Sequence, residues 1–284
     1  MPSQENRTSS GPYEDSKTLN PNEKDQAAEH SAPPALVIHE IVRKDGEEEL
    51  SRALGAVGWS GLAAGLSMGF SFLALALIQT ALPDQPWRRL IDSFGYSIGF
   101  VIAILGRQQL FTESTLTAVL PLLVRRNGST LLALVRFWTV VLITNILGTL
   151  IFARLLAIDG VFDEPVRAAL SSIARDSVTG PFWPTLLKAV LAGWLIALMV
   201  WLLPSARSAK LFVILLLTYV VAVGRFSHVI AGSVEAFFAV FTGQASVYEY
   251  LIGFFVPTII GNTIGGVALV ALLNHAPLAT DVRE

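Results

Sequence analysis

Apolar stretches long enough to cross a lipid bilayer fill most of this chain, and that feature limits its fold more than any other. The hydrocarbon core of a bilayer is about 30 Å thick and needs roughly 20 residues of helix to span it. Hydrophobic residues make up 53% of the 284 residues, too many for an ordinary soluble domain. We therefore predict an all-α integral membrane protein over residues 56–275. Its six expected spans cover residues 57–82, 94–124, 131–157, 182–203, 211–242 and 248–273.

The two ends of the chain are polar. Residues 1–38 are rich in Ser, Pro, Asn and Glu, and we predict a disordered acidic tail because they bury too little apolar surface to offset chain entropy. Residues 39–55 mix charged and apolar side chains. They form either an amphipathic cytoplasmic helix, weakened by Gly46, or a solvated linker. Residues 276–284 are expected to be a short cytoplasmic tail.

Basic residues in the connections indicate the orientation of the spans. Arg125 and Arg126 follow the second span, and Arg207 and Lys210 follow the fourth. Loops with such an excess of positive charge usually face the cytoplasm. Since an even number of spans returns the chain to its starting side, both termini are predicted to be cytoplasmic. Pro165 begins a helical pattern in the opposite connection, which predicts a short helix on the outer surface.

Several functional classes are excluded by residues that the sequence lacks. There is no cysteine, so disulfides, thiolate metal sites and cysteine nucleophiles are ruled out. No metal-binding cluster, nucleophile–base pair or phosphate-binding loop is present. The net charge is −2 without a long basic run, so nucleic acid is not an expected partner. We predict neither an enzyme nor a resident metal or cofactor.

The second and fifth spans are too long for one simple helix and contain polar segments. These segments are GRQQLFTEST from Gly106 and GRFSHVIAGS from Gly224. A backbone group left unpaired in lipid costs several kcal/mol, so a polar break persists only where protein or a water-filled cavity satisfies it. Both spans are therefore predicted to be interrupted helices.

The two halves of the chain repeat one another. Asn145 lies 39 residues after Gly106, and Asn262 lies 38 residues after Gly224. An Ala-Gly pair also recurs, at residues 64–65 and 192–193. Because each copy has three spans, the second must enter the membrane from the opposite side. Two inverted three-helix repeats with interrupted helices place a site near the midplane, where half-helix N-termini favour an anion.

Two residues inside the breaks are candidates for that site. His228 is an ionisable group at mid-membrane, which is costly and by default functional, and histidine changes charge near neutral pH. The alternative is a structural hydrogen bond that closes the broken helix. The hydroxyl of Thr112 either bonds an anion or the facing imidazole, or caps the second half-helix.

Charged residues occur beside both breaks. Arg107 and Arg225 have equivalent positions in the repeats, and Glu113 and Glu235 follow the breaks. We predict ion pairs between the repeats, Arg107 with Glu235 and Arg225 with Glu113, because pairing neutralises buried charge. Direct contact of the arginines with an anion is the alternative.

Three further polar residues are expected to support the site. Asn145 and Asn262 are predicted to satisfy backbone groups freed by the breaks. Lys188, early in the fourth span, either snorkels to the outer interface or lines an outer vestibule.

The motifs GRQQLFTEST with TNILG, and RFSHVIAG with GNTIGG, resemble the formate/nitrite transporter family over about residues 40–275, and within it the YfdC-like branch. The resemblance implies an aquaporin-like fold assembled as a homopentamer in the lipid of a bacterial inner membrane. It implies a pore in each protomer for small monovalent anions such as formate or nitrite, often moved with a proton.

The resemblance also implies roles for individual residues. His228 matches the central pore histidine of the family and Thr112 matches the threonine of the loop in the second span. The apolar pathway residues implied are Leu110, Phe111, Tyr96, Phe100, Val221 and Phe226. A bare ion loses its water at such constrictions, so His228 is expected to supply a proton and a neutral acid to cross. This chain departs from the usual pattern at Ser227, commonly acidic in members, and at Gly232, often Asn.

Three functions remain open from the sequence. The first is a channel or proton-coupled transporter for small monocarboxylates or nitrite. The second is a pore for small neutral solutes or undissociated acids in the same fold. The third is a membrane scaffold with a vestigial pore that acts through its N-terminal tail.

Overall fold

The computed structural model describes residues 15–271, and the regular structure in this part of the chain is helical. The first helices are α1 (Pro21–His30), α2 (Ala35–Ser51), α3 (Leu54–Ala81), α4 (Arg88–Leu105), α5 (Phe111–Thr117), α6 (Leu120–Arg125) and α7 (Gly128–Leu156). They are followed by α8 (Glu164–Val178), α9 (Phe182–Leu202), a 3-10 turn (Arg207–Ala209), α10 (Lys210–Val223) and α11 (Val229–Phe241). The last segment joins a π-helical stretch (Glu249–Phe255), α12 (Val256–Thr263) and a second π-helical stretch (Ile264–Ala271).

Four helical segments of the described chain are long and apolar enough to cross a membrane. They are Leu54–Ala81, Gly128–Leu156, Phe182–Leu202 and Glu249–Ala268. They correspond to the first, third, fourth and sixth predicted spans. The second and fifth predicted spans are the divided segments, α4 to α6 and α10 to α11.

The long helices pack closely through small residues. Helix α3 lies against α7, and α9 lies against α12. A methyl group added at Gly65 would overlap the backbone oxygen of Asn145, and one added at Gly193 would overlap that of Asn262. Small residues of this kind let helix backbones approach one another, which is how helices associate without a hydrophobic driving force between them. The Ala-Gly landmarks of the two halves therefore mark helix crossings.

The N-terminal segment is more ordered than its composition predicts. Asn20 and Glu23 form a reciprocal cap at the start of α1, with the Glu23 amide 3.0 Å from Asn20 Oδ1 and the Asn20 amide 2.8 Å from Glu23 Oε2. Helix α2 begins at Ala35 rather than at residue 39. The prediction of disorder for residues 1–38 is thus wrong for α1 and the start of α2. Residues 1–14 and the predicted C-terminal tail lie outside the described residues.

Helix α2 docks onto α5 and α6. A methyl group added at Gly46 would overlap the backbone oxygen of Thr117, so this glycine allows the close approach of the two helices. Glu47 and Arg125 form an ion pair at 2.6 Å across the same contact. The sequence predicted that Gly46 weakens this helix, whereas in the fold its lack of a side chain is what lets the helix dock.

The short helix predicted from Pro165 is α8, with Pro165 in its first turn. Val166 and Leu170 are buried, and α8 packs against α11 and α3. Its other side borders the cavity described below.

Candidate functional site

Both divided segments break at the Gly-Arg pairs. Helix α4 ends at Leu105 and α5 begins at Phe111, while α10 ends at Val223 and α11 begins at Val229. Each loop turns through its arginine in the left-handed backbone region, with φ of 50° at Arg107 and 49° at Arg225. A non-glycine residue is uncommon in that conformation. The same backbone turn therefore occurs at corresponding places in the two halves.

Asn145 ties the first break to the helices around it. Its Oδ1 accepts a hydrogen bond from the backbone amide of Phe111 at 2.9 Å. Its Nδ2 donates to the backbone oxygens of Gly61 at 2.8 Å and Gln109 at 2.9 Å. One buried side chain thus satisfies three backbone groups that the break and the helix crossing expose.

Asn262 makes the same three bonds in the second half. Its Oδ1 accepts from the Val229 amide at 2.8 Å. Its Nδ2 donates to the backbone oxygens of Ala189 at 2.8 Å and Ser227 at 2.9 Å. These bonds reach the kind of freed backbone groups that the sequence assigned to both asparagines.

His228 and Thr112 meet between the two breaks. His228 Nε2 lies 2.8 Å from Thr112 Oγ1, and both residues are buried. His228 Nδ1 accepts a hydrogen bond from the Ala231 amide at 3.2 Å and so caps α11. Because an acceptor nitrogen carries no proton, the neutral ring holds its hydrogen on Nε2 and donates it to Thr112. The structure thus contains both the structural hydrogen bond that was the alternative for His228 and the contact with the facing imidazole that was expected for Thr112.

Aromatic side chains surround this contact. The Phe100 ring lies edge-on to the His228 ring at 5.0 Å between centroids, and the Tyr96 ring lies 5.3 Å from Phe100. Phe111 instead packs edge-on against Trp138 of α7 at 5.7 Å. Leu110, Val221, Tyr96 and Phe100 are also buried in the core of the fold.

A cavity of about 520 Å³ leads to His228 from the side on which α8 lies. We call it the α8 vestibule. Tyr96, Val221 and Phe226 line it, and so do charged side chains of four helices and one loop. These charged residues are Arg88, Arg89, Asp92, Asp176, Lys188, Arg225 and Glu235. The position of Lys188 agrees with the vestibule alternative that the sequence left open for it.

The ion pairs predicted between the repeats are not those that the structure contains. Arg225 pairs with Asp176 of α8 at 3.0 Å rather than with Glu113. Among the described residues, Arg107 has no ion pair with Glu235. Arg107 instead lies close enough to Asp45 of α2 for its positive charge to favour the ionised form of that carboxyl group.

The reason for this error is the length of the first half-helices. Helix α4 has 18 residues, about 27 Å at 1.5 Å per residue, so it passes the level of His228 before its loop turns back. Arg107 therefore lies on the same side as Glu113, which is close to Glu49 of α2. In the second half, Arg225 of the loop and Glu235 of α11 likewise lie on one side, where both line the α8 vestibule.

The opposite side of the His228–Thr112 contact is covered by α2. The Thr117 hydroxyl of α5 donates to Glu49 Oε2 at 2.5 Å. Burial raises the pKa of the Glu49 carboxyl to about 7, while the bond from Thr117 acts in the opposite direction. Sequence reasoning missed this contact because Glu49 is one of three successive glutamates and only the docking of α2 distinguishes it.

Comparison with known proteins assigns the fold to a family. The model of the family described as formate/nitrite transporter matches residues 36–276. The chain belongs to the formate/nitrite transporter family. The resemblance found in the motifs is thereby confirmed, and members of this family are channels and transporters rather than enzymes.

Individual relatives of the family are similar over most of the chain. Inner membrane protein YfdC of Escherichia coli (strain K12) is 43% identical over 250 residues, which are 88% of this chain and 81% of that protein. Formate channel FocA of Haemophilus influenzae is 23% identical over 244 residues, or 76% of this chain and 84% of that protein. A solved pentameric formate channel with formate bound has a TM-score of 0.69 at 22% identity, covering 80% of this chain and 98% of its own. It shows that the fold is shared.

Proposed function

We propose that this protein is a pore for small monovalent anions, formate, nitrite or a related monocarboxylate, and that a proton accompanies the anion. The observation that carries the proposal is the buried contact between His228 and Thr112 at the inner end of the α8 vestibule. An ionisable side chain buried at this level beside Phe100 is by default functional, which supports a role for His228 in the passage of a solute.

The proposed architecture is six spans in two inverted three-helix repeats. The identical bonds of Asn145 and Asn262 support the repeat, and an odd number of spans in each copy inverts the second. We place both termini in the cytoplasm and the α8 vestibule on the outer side. The pentameric formate channel supports a homopentamer, and the name of the Escherichia coli relative supports a bacterial inner membrane.

The vestibule accounts for the first steps of passage. Lys188 and the arginines at its mouth attract an anion from solution. An anion that moved past Phe100 would lose its hydration shell, and apolar side chains would not replace it. A neutral acid therefore passes at a much lower free-energy cost. Within the pore, the hydroxyl of Thr112 can donate a hydrogen bond to the solute, and the Nε2 hydrogen of His228 can do so once it leaves Thr112.

The chemistry of His228 limits how it takes part in proton movement. A neutral imidazole has one N–H and must gain a proton before it gives one away. Its only acceptor nitrogen, Nδ1, is occupied by the Ala231 amide. His228 therefore exchanges protons only when the ring releases that amide.

Flux into proteoliposomes that contain a pH-sensitive dye tests the proposal. We expect the wild-type protein to admit formate, nitrite or acetate, and Thr112→Val to lose most of that flux. Thr139→Val is the matched control, because Thr139 is an exposed threonine of α7 that bonds only its own helix. His228→Ala should also lose flux, although it removes a helix cap worth about 1 kcal/mol as well.

Two results would change the assignment. Wild-type flux no greater than that of protein-free liposomes for every anion would refute it. Flux that follows the concentration of undissociated acid and ignores the membrane potential would instead favour the pore for neutral solutes.

A further inference from the structure

Arg225 in the α8 vestibule has a side chain that is 58% exposed, whereas Glu235 in the same lining is half-buried. Glu235 follows His228 by seven residues on α11, which is two helical turns or about 10 Å along the axis. Gly232 lies between them and also borders the cavity. Because glycine has no side chain, the ring of Phe254 packs into the space beside it. Glu235 and His228 both border the same cavity.

The carboxyl group of Glu235 stands apart from the ion pairs of the described residues. Among residues 15–271 it forms neither an ion pair nor a hydrogen bond. The charged and titratable groups that line the vestibule with it are Arg88, Arg89, Asp92 and Tyr96 of α4, Asp176 of α8, Lys188 of α9, Arg225 of the loop and His228 at the start of α11. Arg88 forms an ion pair with Asp84 at 3.0 Å. Of these cations, Arg225 is already held by Asp176. A carboxyl group that no cation holds in a salt bridge takes up a proton more readily than one that is so held.

The repeat shows a second carboxyl group at the corresponding place. The asparagine bonds align Phe111 with Val229, and six residues further along each half-helix the alignment pairs Thr117 with Glu235. Thr117 carries no charge, but its hydroxyl holds the carboxylate of Glu49 from α2 at 2.5 Å. The two halves thus place a carboxyl group on each side of the His228–Thr112 contact by different means, which indicates a use for the group rather than an accident of packing.

We propose that Glu235 is the residue that exchanges a proton with the anion in the α8 vestibule before the anion reaches His228. This inference rests on the proposed function. The O–H bond of the Glu235 carboxylic acid breaks, and its proton forms a new O–H bond on the oxyanion of the substrate. A neutral weak acid and the Glu235 carboxylate result, and the carboxylate regains a proton from the solution in the vestibule. The neutral acid then passes Phe100.

This assignment removes a difficulty at His228. The ring has no free acceptor nitrogen while it caps α11. If the anion is already protonated two turns earlier, His228 has only to donate a hydrogen bond, and its bond to the Ala231 amide stays intact throughout passage.

Uptake of labelled formate as a function of external pH tests the inference in cells or oriented proteoliposomes. We expect wild-type uptake to fall as external pH rises, and Glu235→Gln to lower uptake at acidic pH by about tenfold or more, since a positioned proton donor commonly contributes at least that much. Glu235→Asp keeps the acid and should keep the dependence on pH. Glu164→Gln is the matched control, because Glu164 is exposed on α8 and outside the vestibule.

The outcomes separate the inference from the proposed function. A Glu235→Gln profile that parallels the wild type would overturn the inference alone. The inference would also be overturned if Glu235→Gln raised flux at alkaline pH and lost none at acidic pH. Glu235 would then act only as a negative charge that repels the anion. Absence of wild-type flux for every anion would overturn the proposed function and this inference with it. Size-exclusion profiles identical to the wild type exclude misfolding as the cause of a loss.

Discussion

Replacing Asn262 with aspartate keeps the shape of the side chain and removes both of its N–H donors. The Val229 amide retains its acceptor, because either carboxylate oxygen can take the place of Oδ1. The backbone oxygens of Ala189 and Ser227 lose their donors and face a second acceptor instead. The same reasoning applies to Asn145→Asp in the first half.

The cost follows from the number of bonds lost. A buried polar group left without its partner costs about 1–3 kcal/mol, so two such groups cost roughly 2–6 kcal/mol in each variant. Because the two asparagines make the same three bonds, the two variants should lose similar stability. In a chain of this size such a loss lowers the melting temperature on the order of 10 °C.

Thermal unfolding in detergent, followed by the loss of the monodisperse peak, measures this effect. Asn127→Asp is the matched control. Asn127 caps α7 by accepting from the Thr130 amide at 2.8 Å, and aspartate caps equally well there. We expect this variant to melt within a degree or two of the wild type, on the scale of a surface change.

Two results would refute the reasoning. Melting of Asn262→Asp at the temperature of Asn127→Asp would show that its donors do not support the break. A large loss in only one of the two buried variants would show that the halves do not share one scaffold.

Two further predictions concern the docking of α2. Gly46→Ala should detach α2, because the methyl group of the new alanine would overlap the backbone oxygen of Thr117. Gly55→Ala is the control and should leave α2 docked, because the space around Gly55 is open. The rate at which a protease cleaves α2 measures docking in both variants. Since burial raises the pKa of Glu49 to about 7, docked α2 holds a proton more tightly than free α2, and docking should weaken as pH rises from about 4.5 through 7, by on the order of 3 kcal/mol. Hydrogen exchange in α2 between pH 5 and 8 should show this in the wild type and in Glu48→Gln but not in Glu49→Gln, and an unchanged dependence in Glu49→Gln would contradict it.

The parts of the fold that the sequence predicted are those governed by local chemistry. Apolar length gave the long helices, and the Gly-Arg pairs gave the position of both breaks. The spacing of Asn145 and Asn262 predicted their role, since an amide side chain can both donate and accept and so fits freed backbone groups of either kind. The repeat alone predicted that His228 and Thr112 lie close together, because each lies inside the break of its half.

The parts that the sequence did not predict depend on how far each helix extends before it turns. Nothing in GRQQLFTEST shows that α4 passes the level of His228. The predicted ion pair of Arg107 with Glu235 is wrong for this reason. Glu49 and Gly46 gain their importance only from the position of α2 against Thr117. Contacts between distant segments of this kind are invisible to a pattern read along one chain.

Asn145 and Asn262 bond the two breaks in the same way, but the residues that meet between the breaks differ in the two halves. In the alignment that the two asparagines define, His228 corresponds to Leu110, and Thr112 corresponds to Ile230. Each half thus contributes one polar residue at a different position, so that neither half holds both groups of the contact. In the proposed pathway a solute from the α8 vestibule meets the imidazole first, because that cavity is lined by His228 and not by Thr112. We therefore expect inward and outward flux to differ in rate at equal driving force.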